Sequence, residues 1–208
     1  AAIPARYAME LGNWKAASEL TPLKTGVPWA QAISWMAIGV GSARTKADAR
    51  ATEALNTLAT LHEQASKMNN TYWSNQIEVQ RQEVAAWIAQ SSGKNEEALK
   101  QIRSAVELEE SMDKHAVTPG AVIPAREMLA QMLVLNDKPK DALVEYETVL
   151  KVAPNRFTAL YGAAAAAESA GQMQAARTYY EKLAQVAPGE QRPEQKTARQ
   201  KLTTLAAA

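Results

Sequence analysis

The segment Lys138–Pro154 returns, altered but in register, as Gln172–Pro188. Ala142 falls on Ala176, Tyr146 on Tyr180, Leu150 on Ala184 and Pro154 on Pro188, each pair 34 residues apart. That interval is the length of one helix–turn–helix repeat unit. A single unit carries more apolar surface than it can bury alone, so it is stable only when stacked on neighbours. The chain is therefore expected to be all-α, built as a line of antiparallel helix pairs.

The bulk properties agree and exclude several alternatives. Gly and Pro number nine each, Phe occurs once, and strand-type alternation is hard to find over the 208 residues. Lys and Arg total 23 against 22 for Asp and Glu, a net charge of +1 with signs interspersed. General nucleic-acid binding needs a concentrated basic stripe, so no nucleic-acid partner is expected. No apolar run approaches the roughly 18 residues of a membrane span, so no membrane insertion is expected either. Cysteine is absent, which removes disulfides, thiolate metal sites and a Cys nucleophile. Its absence fits any compartment and leans toward an exported, periplasmic bacterial protein. The chain opens Ala1-Ala2-Ile3-Pro4, without a signal-peptide pattern or an initiator Met, as a processed form or an excised piece does.

In chain order, a helix is expected over 3–11, with Pro4 in the first turn, and Gly12-Asn13 ends it. A second follows over 14–20, then a loop rich in Pro and Gly to residue 28. Trp29, Ile33, Met36 and Val40 mark one face of the next helix, whose Gly39 and Gly41 allow a close contact or a terminus. Helices over 46–68 and 72–90 follow, the latter with Thr71 as N-cap. Gly93 breaks the chain before a helix bearing Ala98, Leu99, Ile102, Ala105 and Val106. Ala98 to Ala142 spans 44 residues, ten beyond the period, and the excess falls in an insertion over 113–122. Ile123-Pro-Ala-Arg126 then echoes Ile3-Pro-Ala-Arg6. The organisation expected is one domain over 1–208. It comprises degenerate repeats to residue 70, a repeat over 71–112, the insertion, two regular repeats over 123–188 and a capping helix over 189–208.

Signs of chemistry are sparse. His115 lies in the insertion near Asp113 and Glu127, but the only other histidine is His62 and no metal-ligand spacing exists. No metal and no cofactor are expected. Gly39 and Gly41 lack the strand and the third glycine of a dinucleotide loop, and no nucleophile elbow is present. No enzyme is predicted. A second reading makes the insertion and its flank a small-ligand or metal site, enzymatic or not, using His115, Thr118, Gly120, Arg126, Glu127 and Arg156. Of the five tryptophans, Trp35, Trp73 and Trp87 fall at core spacing, whereas Trp14 and Trp29 flank the loop and are expected to be exposed.

The 34-residue period, the small residues Ala130, Ala142, Ala164 and Ala176, the pair Tyr146 and Tyr180, and Pro154 and Pro188 together resemble the tetratricopeptide repeat family. The likeness is closest over 123–188, weaker over 79–112 and weakest over 1–68. Lys114-His115, Ile123-Pro-Ala-Arg-Glu127 and Pro154-Asn-Arg-Phe157 are similar to C-terminal parts of bacterial tetratricopeptide proteins of poorly defined role. The resemblance implies a right-handed superhelix, an α-solenoid of about ten or eleven helices, with a concave groove lined by the first helix of each pair. It implies a protein or peptide partner and no intrinsic chemistry, with further repeats N-terminal to this chain as one possibility. In that arrangement Glu83, Trp87, Glu127, Gln131, Tyr161 and Glu168 would line the groove, and a lining of acids, amides and aromatics favours a basic or amphipathic peptide.

Overall fold

A computed structural model describes residues 2–113 and 120–206. Among these residues there are eleven α-helices and no strand: α1 (Ala2–Glu10), α2 (Trp14–Ser18), α3 (Pro28–Arg44), α4 (Asp48–Lys67), α5 (Thr71–Ser91), α6 (Asn95–Ser111), α7 (Ala125–Leu135), α8 (Pro139–Val152), α9 (Phe157–Ser169), α10 (Met173–Val186) and α11 (Pro193–Ala206). The chain divides into two compact units, Ala1–Met128 and Leu129–Ala208, with the division inside α7. Within each unit the helices pack against neighbours in sequence order.

One device makes most of the turns. Gly12, Lys46, Asn69, Gly93, Asp137 and Gly171 all take a left-handed backbone. The N–H of the following residue returns in each case to the carbonyl five residues before it, as Lys94 does to Ala89 at 2.9 Å and Gln172 to Ala167 at 2.8 Å. This pairing satisfies carbonyls that a helix end otherwise leaves open and reverses the chain in two or three residues. The repeat read from the sequence is also present in the backbone. α8 and α10 begin at Pro139 and Met173 and end at Val152 and Val186, each 34 residues apart. Both close on an alanine of nearly equal dihedrals, Ala153 and Ala187, whose N–H bonds Val149 and Leu183 at 2.9 Å.

In the first unit α3 packs on α1, α2, α4 and α5. The contacts α1–α3 and α3–α5 place the first helix of three successive pairs side by side in one layer. Glycines set the approach distances. A Cβ at Gly41 would lie 2.6 Å from the Ser18 nitrogen and the Trp14 oxygen, so α2 rests directly on α3. One at Gly39 would lie 2.7 Å from the Val84 methyls of α5. Both glycines therefore mark close contact and neither ends the helix.

In the second unit α9 packs on α8 and α10, and α10 on α11. Tyr146 and Tyr180 are both buried, at equivalent places on their helices. Their contacts differ. The Tyr146 ring lies over Gly162, where any Cβ would meet it. Tyr180 meets Tyr161 edge-on at 6.4 Å and donates to the Glu168 carboxylate at 3.1 Å. One period before Glu168 stands Val134, which offers no acceptor there.

Some local expectations change. α2 ends at Ser18, two residues early. Asn70, one residue before Thr71, caps α5 by accepting from the Trp73 N–H at 3.3 Å. No side chain caps α6, whose first residue is Asn95. α7 starts at Ala125, because Val122, Ile123 and Pro124 are drawn into a non-helical segment.

Candidate functional site

The layer made by α1, α3 and α5 is crossed by a piece of the chain's own backbone. Arg6 on α1 donates from Nη2 to the Gly120 carbonyl at 2.8 Å, and from Nη1 to the carbonyls of Ala121 and Val122 at 3.0 and 3.3 Å. Three successive carbonyls reach one guanidinium only if the backbone curls around it, and the chain does bend at Val122 and Ile123. Both side chains are buried. At the far end of the segment the Glu109 carboxylate on α6 accepts the Ala125 N–H at 2.9 Å, capping α7 from outside. Glu110 holds Arg126 through two bonds of 2.6 Å, a charge-assisted fork that fixes the first turn of α7.

Beneath the segment lies a small polar cavity. Met36 of α3, Gln76, Val79, Gln80 and Glu83 of α5, Glu109 of α6, and Ala121, Val122 and Ile123 line it. Its free space of about 10 Å³ admits at most one water. Glu83 is only 2% exposed, and among the described residues no donor reaches its carboxylate. The buried Gln80 Oε1 likewise has no partner. Burial, and then the nearby Glu109 charge, push the Glu83 carboxyl well above the usual carboxylate range. Here the sequence puts an acid where a core residue stands.

An aromatic cluster borders the same layer. Trp29 of α3 and Trp73 of α5 stack at 5.3 Å, nearly parallel, and Tyr72 meets Trp73 edge-on at 5.0 Å. Elsewhere in the unit the Arg44 guanidinium lies 3.9 Å from the ring centres of both Trp14 and Trp87. Trp87 alone of the five is buried. Trp35 and Trp73, expected in the core, are half-buried like Trp14 and Trp29.

Several expected groove residues are not at an open surface. Glu83 and Trp87 are covered, and Glu127, in the first turn of α7, is fully buried. Helical spacing assigned them to a face, but that face is closed by other parts of the chain. Gln131 and Tyr161 are half-buried. Glu168 is used internally, accepting from Tyr180 of α10 and from Lys201 of α11. Of the insertion candidates, His115 and Thr118 lie outside the described residues. Gly120 takes part through its carbonyl, Arg126 through Glu110. Arg156 precedes α9 and lines a shallow depression with Ala153, Pro154, Asn155 and Phe157.

Against known proteins, no family model matches the chain and no curated relative matches its sequence. The site therefore rests on its own geometry. Among the described residues no three His, Asp or Glu side chains converge as a metal ion requires. No helix among them is long and apolar enough to cross a membrane. The residues that sequence reasoning missed are Arg6, Gln76, Gln80 and Glu109. Only Arg6 left a signal, the Ile3-Pro-Ala-Arg6 motif repeated at Ile123.

Proposed function

We propose that this chain is a non-enzymatic scaffold of tetratricopeptide type, a right-handed stack of helix pairs that binds a peptide or protein segment across the first helices of its pairs. The observation that carries this reading is the seat of residues 120–124. A non-helical stretch already lies on the α1–α3–α5 layer, held by its backbone carbonyls and by two apolar side chains. Backbone contacts give affinity to any peptide, and pockets for side chains give selectivity. The stacked Trp29–Trp73 pair extends the apolar part of the same layer. The 34-residue recurrence of helix ends supports the family assignment.

The test uses the full chain with its own segment loosened by Val122→Gly and Ile123→Gly. A synthetic peptide of residues 120–126 is titrated into it by calorimetry. One-to-one binding with a Kd on the order of 100 µM, about 5.5 kcal/mol, is expected for so short a guest. Binding absent from a variant whose circular dichroism is unchanged would refute the reading.

A further inference from the structure

The seat of residues 120–124 is unevenly finished, and the unevenness has a sign. Two groups of the cavity lining stand without a donor among the described residues: the carboxyl of Glu83, 2% exposed, and the buried Gln80 Oε1. Above them the chain supplies the side chains of Ala121, Val122 and Ile123, which have nothing to donate. Beside them, the Glu109 carboxylate is committed to the Ala125 N–H. A buried carboxyl without a hydrogen-bond partner is costly in either protonation state, and an apolar residue of similar volume would relieve that cost. Stability alone therefore does not account for an acid at this point of α5.

We propose that this seat selects a cation: its guest is a peptide presenting a lysine or arginine side chain, or a terminal amine, to Glu83 and Gln80. The chain's own segment is a placeholder that matches the backbone contacts and lacks the charge. This rests on the peptide-scaffold reading above and names the chemistry of its ligand. An ammonium brings a positive charge and three donors to the Glu83 carboxyl and the Gln80 Oε1. The guest takes the place of the segment, because the 10 Å³ beneath it holds no side chain. Arg6, which now gathers three carbonyls, gathers those of the guest instead.

The experiment compares two acetylated, amidated peptides on the Val122→Gly, Ile123→Gly chain: the sequence of residues 120–126, and the same with lysine at the place of Ala121. The lysine peptide is expected to bind at least tenfold more tightly, and Glu83→Gln is expected to erase the difference. Equal binding of both peptides would overturn the cation proposal and leave the scaffold reading standing. Binding of neither would remove both. Should the loosened chain not fold, the same question is put within the intact chain. Ala121→Lys and Ala121→Met are compared by urea unfolding with and without Glu83→Gln. A folding equilibrium constant at least tenfold more favourable for the lysine substitution, lost with Glu83→Gln, supports the proposal. A gap that is absent, or that ignores Glu83, sinks it.

Discussion

Gly93 closes α5 with φ +74°, and nothing lies within 4 Å of the point where a Cβ would stand. An alanine there meets no atom, so whatever it costs is a cost of backbone conformation alone. The left-handed region disfavours an L-residue by roughly 1–2 kcal/mol. Alanine also stiffens the unfolded chain, which returns about 0.4–1 kcal/mol. The net expectation for Gly93→Ala is a loss of roughly 1 kcal/mol. Gly171, at φ +76° and equally open, should lose as much. Lys46, at φ 60°, occupies the same place in its turn, so Lys46→Gly should be neutral to stabilising. Gly41 supplies a contrast within one substitution type. It lies in a helix, where alanine is intrinsically better by about 1 kcal/mol. Yet its Cβ would press the Ser18 nitrogen and the Trp14 oxygen at 2.6 Å, and both are backbone atoms that yield only if α2 moves. Overpacking of that kind costs roughly 1–3 kcal/mol, so Gly41→Ala should also destabilise, by displacing α2. Urea unfolding followed by far-ultraviolet circular dichroism reads all four as midpoint shifts at constant slope. If Gly93→Ala falls inside the roughly 0.5 kcal/mol scatter of neutral surface changes, the account of the turns is wrong.

Three further outcomes follow from the same structure. Glu83 has its folded pKa raised, so the unfolded chain ionises first as pH climbs; the stability it contributes is whole below the ordinary carboxylate range and is lost as pH rises through the folded value. Unfolding measured across that window should show stability falling by up to about 1.4 kcal/mol per pH unit, and Glu83→Gln should flatten that slope. Tyr179 is pushed up to about 12, first by burial and then by its bond to Glu147, so Glu147→Gln should bring its phenol back toward 10 in an alkaline absorbance titration. Arg44→Ala removes a guanidinium held between two indoles and should cost roughly 1–3 kcal/mol, with altered tryptophan emission; an unchanged spectrum would deny the sandwich.

The sequence by itself determined the helices, their order and the 34-residue recurrence, because each depends on spacing within a few turns of chain. Ala142 and Ala176, Tyr146 and Tyr180 all prove buried, and α8 and α10 start and stop in register. Helical spacing also assigned Glu83 to the concave groove face, but spacing carries no information about what arrives from elsewhere to cover that face. Only the tertiary structure decided this. The cover comes from residues 120–123, and the arginine that holds it lies more than a hundred positions earlier. A hydrogen bond across that separation leaves no local trace in composition or periodicity. Glu168 and Lys201 likewise meet through the packing of α9 near α11. Helix formation is local and is written in neighbours, whereas the burial of a charge is a property of the assembled layer.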